Sequence, residues 1–537
     1  MGKRRLVHQT ALSPEDDEHY TCQCALFGLL VDHGAKRINT MYNDGWMSSG
    51  FSFLSSSLLV LNRFVLSLMG TMATIDAHAR LDSAISDTTL ATESPTQSKF
   101  GSLNGGAATS PLPDCIPPES PSRTLVLCFD GTGDQFDSDN SNVVEFFSML
   151  KKDDPSRQLV YYQSGIGTFT TPQIATPMFA KISKTLDEMI AWNMDSHIMC
   201  GYEFLMQNYR ANDRICIFGF SRGAYTARCL AGMIHKVGLL PTCNHQQVPF
   251  AYKMYTRTDD VGWKQSNAFK KAFSIDVNIE FLGVWDTVSS VGLIPRRLPF
   301  TTSNTVVRTF RHAIALDERR AKFKANLWNR PNDNEKLLNI GGGSVENGVP
   351  FCLARIPLRW MIRECFKTNT GVAFHTDGLR DIGFDPSTLY PAVLPRPPAH
   401  DLDTSRLETS VIQSIPKNPI PSTDEDNMLV PSLKPSETEE QIELKDALSP
   451  IYDQLSLNWI WWILELLPLK HRYQRSDNVW TSWFGWNVGT GRHIPSQRSH
   501  GVRVHRSVRT RMTAEDARGE RYTPKANVNL EHVIWVD

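Results

Sequence analysis

The chain has no surplus of charge of either sign: Lys and Arg total 56 against 57 for Asp and Glu. That balance leaves no global field to gather nucleic acid or an anionic surface, so any such contact has to be local. Paired cysteines are also missing. The ten cysteines are scattered, none in C-x-x-C spacing, and several sit in apolar runs where a free thiol behaves as a small hydrophobe. This pattern predicts a reducing compartment, no zinc or other metal site and no cofactor. Residues 1–18 have no apolar core of a secretory signal, so the expected location is cytoplasmic, with membrane association open. Long apolar runs are scarce as well. The nearest, Phe51–Met72, has Arg63 at its centre and five serines, and a central arginine costs roughly 2.5 to 3.5 kcal/mol on insertion scales. It reads either as a marginal membrane helix or as a local amphipathic or poorly structured stretch.

Residues 1–121 form a low-complexity, poorly ordered region, Ser-, Thr-, Ala-, Gly- and Pro-rich from Asp76 onward, with too little apolar surface to offset the entropy of ordering. A body over 122–384 follows abruptly. Arg123–Gly133 is a buried-type strand ending in the turn Asp130-Gly-Thr-Gly133. Ligands gather at the carboxyl ends of such strands, so Gly131 and Thr132 are candidate oxyanion donors through their backbone N–H groups. Asp130 either lines that crevice or caps the turn. A helix over Asn142–Leu150, a strand over Gln158–Gln163 and a long amphipathic pattern over 181–209 come next.

The centre of the sequence is Asp213–Gly232. The apolar run Ile215–Phe218 breaks at Gly219, and helical spacing begins after Gly223. Gly219, Ser221 and Gly223 give the G-x-S-x-G spacing of a nucleophile elbow, a strand turning sharply into a helix with the serine at the corner. The glycines leave room for neighbouring backbone, and the helix aims its positive end at the serine oxygen, with the Arg222 amide as an oxyanion donor. Val248–Lys271 is helical and aromatic-rich, and Val277–Val288 is a further apolar strand ending at Asp286. An acid one strand after the elbow is where the order Ser, Asp, His places the residue that orients a histidine. Strand and helix alternate as in a doubly wound, mostly parallel α/β sheet.

Phe129–Gly133, Gly219–Tyr225, Gly283–Val288 and Arg311–Arg320 resemble the catalytic domain of the type VI secretion phospholipase effectors, and more closely a group of uncharacterised fungal proteins that share it. Leu353–Phe366, Leu448–Asp453 and Trp461–Glu465 resemble the fungal group specifically. The resemblance implies an α/β-hydrolase fold, a Ser-Asp-His triad and lipid-ester hydrolysis, with Ser221 as nucleophile and Asp286 as acid. The histidine does not carry over. Members lead from an apolar strand into Gly-x-His-x-Asp-x-Gly-Gly-Gly, whereas this chain has Gly341–Ser344 after Glu335–Ile340, which reads as too short for that strand. A skipped coding segment, a catalytically dead member and a recruited histidine compete as explanations. His312, placed in a helix, reads as structural. His375 reads as a loop residue, and His493, His500 and His505 as part of a solvated, arginine-rich face over Arg492–Arg511.

Residues 385–447 read as a mostly mobile insertion, and 448–537 as a Trp-rich, basic segment with helices that packs on the body. Leu455–Leu469 is too short to span a bilayer and carries Glu465. It is either an interfacial lid or lipid-docking helix touching a membrane through Trp459, Trp461 and Trp462, or a buried core helix. The expected function is a serine ester hydrolase of phospholipase or lipase type, acting on a lipid or small ester and not on nucleic acid. The rival is an inactive hydrolase-fold scaffold.

Overall fold

The computed structural model describes residues 112–537, apart from 132–133, 135, 137–138, 166–193, 289–296, 329–334, 341–344, 346, 348, 400–436, 476–478, 496–500 and 516–518, and apart from the side chains of 335–340. These residues fall in one compact unit, Ala108–Asp537. Phe51–Met72 and the rest of the expected N-terminal region up to residue 111 lie outside the described residues.

Strand alternation builds two cores on one sheet. After the two-residue β1 (Cys115–Ile116), β2 (Thr124–Phe129) is buried along its whole length. Leu125, Leu127 and Phe129 point to one face and Val126 and Cys128 to the other, the period-two projection of a strand covered on both sides. Helix α1 (Asn142–Ser148) is capped by Ser141, whose Oγ accepts from the amides of Val143 and Val144. It leads to β3 (Gln158–Gln163), then α2 (Met194–Asn208), β4 (Arg214–Phe220), α3 (Ser221–Val237), α4 (Val248–Thr256), α5 (Asp260–Phe273) and β5 (Ile279–Trp285). Helices α2, α3 and α4 cover one face through residues such as Tyr202, Leu230 and Tyr255. On the other face Phe146 of α1 stacks on Phe218, and α6 (Arg355–Lys367) contributes Ile356, Met361 and Ile362.

The remaining sheet departs from the sequence reading in four places. The stretch carrying His312 is not a helix but strand β6 (Val307–Ala315). Glu335–Ile340, read as too short, is a six-residue strand, β7, paired in parallel with β6 from Phe310↔Glu335 to Ala315↔Ile340. Six residues is an ordinary strand length, so no strand is lost and the sheet stays closed. Beyond it, β8 (Phe374–His375) pairs with β1, with α7 (Thr376–Asp381) following. The expected insertion contains α8 (Glu439–Leu448), started by a capping box between Thr438 and Gln441; residues 400–436 lie outside the described residues. Finally, the C-terminal segment does more than pack on the body. After the short α9 (Gln454–Leu457) and α10 (Trp461–Glu465) and the hairpin β9 (Leu469–Gln474) and β10 (Trp480–Gly485), it supplies β11 (Val502–His505), α11 (Arg506–Thr513) and β12 (Val533–Val536). The eight-stranded sheet runs β12-β11-β7-β6-β5-β4-β2-β3, and every pairing in it is parallel.

The arginine-rich face is only partly solvated: Arg492 and Arg506 are buried, whereas Arg509 is exposed. Glu439, Glu443 and Asp446 on α8 meet Arg363, Arg506 and Arg359 at 2.6, 2.7 and 2.7 Å, all six buried, and Arg396 reaches Glu443 at 2.6 Å. Paired and hydrogen-bonded, such charges tolerate the interior. His505 caps α11, its Nδ1 accepting from the Ser507 amide at 3.2 Å, and burial pushes its pKa down to about 3.

Candidate active site

β4 ends and α3 begins with no intervening loop, and Ser221 takes the corner at φ 54°. This left-handed backbone costs a non-glycine residue roughly 1–2 kcal/mol and is typical of a functional turn held by its surroundings. Those surroundings require the two glycines. A Cβ on Gly223 would stand 2.2 Å from the carbonyl oxygen of Asp130, and one on Gly219 would stand 2.7 Å from that of Gly223. Ser221 is half-buried, and the Arg222 amide lies in the first turn of α3, at the positive end of its dipole.

Asp286 follows the neighbouring strand. Phe220 and Trp285 are register partners at the ends of β4 and β5, so the serine and the aspartate each occupy the next position. The Val288 amide donates to the Ser221 carbonyl at 3.4 Å, tying the two corners together. Asp286 also has a left-handed backbone, φ 49°. Its carboxylate accepts the Ala315 amide at 2.9 Å and, on both oxygens, the guanidinium of Arg492: Nη1 bonds Oδ1, and Nη2 lies 2.8 Å from Oδ2. Arg492 is 1% exposed and also donates to the carbonyls of Ala315 and Phe323. Burial opposes its charge, but Asp286 outweighs this and holds its pKa above the ordinary value. Sequence reasoning passed over this arginine. The signal available was Gly489-Thr-Gly491 just before it: a Cβ on Gly491 would meet the Lys525 carbonyl oxygen at 1.8 Å, so the backbone there is pinned.

The oxyanion candidates separate. The Gly131 amide donates to the Asp130 carboxylate at 2.8 Å, and Thr132 lies outside the described residues. Asp130 is itself enclosed, accepting also from Ser141 Oγ at 2.6 Å and Tyr162 Oη at 2.7 Å. These bonds fix the turn, which is the capping role.

Among the described residues no histidine is bonded to Asp286. His312 is fully buried, with Nε2 accepting from the Thr287 amide at 3.1 Å; burial, then Arg228 and Arg492, hold its pKa well below the ordinary value. It supports the loop after β5 as a neutral structural group. His375 is paired with Cys115, His493 is exposed with its ring 4.9 Å from Tyr473, and His500 lies outside the described residues. Two lysines of the segment over this corner hold their protons less firmly than usual. Lys322 is lowered by burial and Arg222, and Lys324 by burial and then Arg492, to about 8. No group of His, Cys, Asp and Glu able to hold a metal occurs among the described residues.

The Trp-rich stretch is not a single helix. It breaks into α9 and α10, with Trp461 buried at 3% against Phe323 and Arg320, so Trp461 cannot touch a membrane, whereas Trp459 is 72% and Trp462 36% exposed. Glu465 is fully buried and accepts from the Ala321 and Gly489 amides at 2.5 and 2.8 Å, fastening this segment to the body.

Residues 123–364 match the family model of the type VI secretion phospholipase effector Tle1-like catalytic domain. An uncharacterised protein of Saccharomyces cerevisiae, YEL023C, is 38% identical over 221 residues, which are 38% of this chain and 32% of the yeast protein. The chain thus spans about a third of that relative. A crystal structure of an uncharacterised Pseudomonas aeruginosa protein overlaps 48% of this chain and 47% of its own, at 15% identity and a TM-score of 0.30. The Tle1 effector bound to the VgrG spike of the type 6 secretion system overlaps 42% and 52%, at 18% identity and 0.21. With scores that low, the fold rests on this chain's own topology.

Proposed function

Because residues 123–364 match the family model of the Tle1-like phospholipase effector catalytic domain, we propose that this protein is a serine ester hydrolase of phospholipase or lipase type with Ser221 as its nucleophile. The observation that carries the reading is the left-handed Ser221 at the junction of β4 and α3. Ser221 Oγ attacks an ester carbonyl, its proton passing to solvent water, and the oxyanion that forms faces the first turn of α3, where the Arg222 amide and the helix dipole stabilise it. Collapse expels the alcohol, and water then hydrolyses the acyl-serine to the free acid. Asp286 stands in the acid position, Gly131 belongs to the turn after β2, Thr132 stays an oxyanion candidate on the sequence alone, and no cofactor or metal enters. Without a histidine base the hydroxyl is a weak nucleophile, and a triad that has lost a member keeps only the rate its oxyanion site and binding supply. Peripheral contact with lipid through Trp459 and Trp462 belongs to the same reading.

One observation favours a second reading, an inactive hydrolase-fold protein that binds lipid or a partner: Arg492 occupies both oxygens of Asp286. A fluorophosphonate probe on the full chain separates the two. Labelling that disappears in Ser221→Ala supports the hydrolase. Labelling equal in both proteins, or absent from both, supports the scaffold.

A further inference from the structure

The described residues leave 17 large hydrophobic side chains exposed, and nine of them fall between Leu457 and Val488. They are held out by a rigid frame. In the β9–β10 hairpin one face carries His471, which is buried, donates through Nε2 to the Gly485 carbonyl at 2.8 Å and lies 5.2 Å from the ring of the exposed Trp483, while Tyr473 meets His493. The other face carries Lys470 and Arg472 beside Trp480 and Phe484. The Arg472 guanidinium lies 3.8 Å above the Trp480 ring, and Lys470 Nζ lies 6.0 Å from that of Phe484, which is 74% exposed. The surface continues through Trp486 at 66% and Val488 at 58%, on either side of a buried Asn487 that donates to Glu465. Trp459 and Leu466 are exposed on the preceding segment, where the Glu465 carbonyl accepts from the Val488 amide at 3.4 Å.

We propose that this hairpin face, together with Trp459, docks the protein on an anionic lipid bilayer. The proposal rests on the reading of the protein as one that works on lipid esters. Neither described strand of the hairpin carries an acidic side chain. Cations stacked over aromatic rings put positive charge and apolar surface at one level, which suits the headgroup boundary, where Trp is favoured and anionic lipids attract Lys and Arg. A protein partner fits less well, because Lys is depleted in the cores of protein interfaces. Contact is peripheral: among the described residues no helix is long and apolar enough to cross a membrane.

The test uses the full chain in sedimentation with vesicles of phosphatidylcholine alone or with one-fifth phosphatidylserine. Wild type is expected to prefer the anionic vesicles about tenfold or more, since each cation near such a surface contributes about fivefold. Trp459→Ser/Phe484→Ser/Trp486→Ser removes side chains that are two-thirds or more exposed, so folding, checked by circular dichroism, is expected to hold while vesicle binding falls at least about tenfold. Lys470→Gln/Arg472→Gln is expected to bring anionic binding down toward that on phosphatidylcholine. Equal binding to both vesicle types, none to either, or a folded triple variant that binds like wild type overturns the proposal. So does self-association of wild type that the triple variant abolishes without any vesicle binding. Fluorophosphonate labelling in detergent-free solution reports Ser221 separately, so failed labelling with intact vesicle binding counts against the hydrolase, and the converse against the docking face.

Discussion

Replacing Arg492 by Met keeps a long apolar side chain in place and removes every donor it offers. Four acceptors lose a partner: both oxygens of Asp286 and the carbonyls of Ala315 and Phe323. Breaking a buried ion pair from one side costs about 3–5 kcal/mol. The pair is asymmetric, since Arg492 is 1% exposed and Asp286 18%. Water can reach the orphaned aspartate, which also keeps the Ala315 amide, so Arg492→Met is expected at the low end, about 3 kcal/mol. Asp286→Ala leaves a dry guanidinium behind and is expected to cost more, about 4–5 kcal/mol. Equilibrium urea unfolding followed by circular dichroism measures both, and the double variant should show a coupling of about 2 kcal/mol. An Arg492→Met protein within about 0.5 kcal/mol of wild type, or an Asp286→Ala protein no less stable than Arg492→Met, would refute the reading of Asp286–Arg492 as a stabilising buried ion pair with the drier charge on the arginine.

Three further outcomes follow from the same geometry. Asp286→Asn is expected to leave the rate of Ser221 labelling within about threefold of wild type, because its carboxylate serves Arg492; a drop near the 10⁴-fold typical of a working triad would point to a histidine relay. Ser221→Gly, which relieves a left-handed backbone, is expected to raise unfolding stability by about 1 kcal/mol in urea titrations while abolishing labelling. Stability that falls instead would remove the case for a strained corner. His505 has a folded pKa depressed to about 3 by burial, among Glu443, Arg396, Arg506 and Arg359. The unfolded chain therefore takes up the proton first as pH drops below about 6.5, and the stability present at neutral pH is lost by up to about 1.4 kcal/mol per pH unit toward pH 3. His505→Gln should flatten that slope in urea titrations run between pH 7 and 4, and an unchanged slope would assign it to other groups.

The sequence exposes what is local. Ile215–Phe218, the two glycines and the helical spacing after them specify the corner at Ser221, and the next apolar strand delivers Asp286 beside it. What stayed hidden depends on partners far along the chain. Arg492 lies 206 residues beyond the carboxylate it holds, and its run of basic residues reads as solvated until α8 brings Glu443 against Arg506. Glu335–Ile340 lies between turn residues, Pro331–Asn334 and Gly341–Gly343, but is short for the strand the resemblance implies and opens on two charged residues, and only neighbours on both sides, β6 and β11, make it one. His312 was misplaced for a related reason: Val307–Ala315 has β-compatible residues, but the charged run after it looks helical. The Trp-rich stretch is continuous in apolar character yet divided in space, since α9 stops at Asn458 before α10 begins and fully buried Glu465 pins the end of α10.

The sheet closes in an order that matters during synthesis. Strand β7 leaves the ribosome well before β11, the neighbour that will cover its open side at Val504↔Asn339, and β12 comes later still. For that interval the nascent chain presents an unpaired parallel edge three strands from the one that leads into Ser221, and such edges are templates for wrong pairing. Non-local pairing of this kind is slow, so a chaperone that shields the edge of β7 would raise the yield of folded protein more than one acting on the earlier strands.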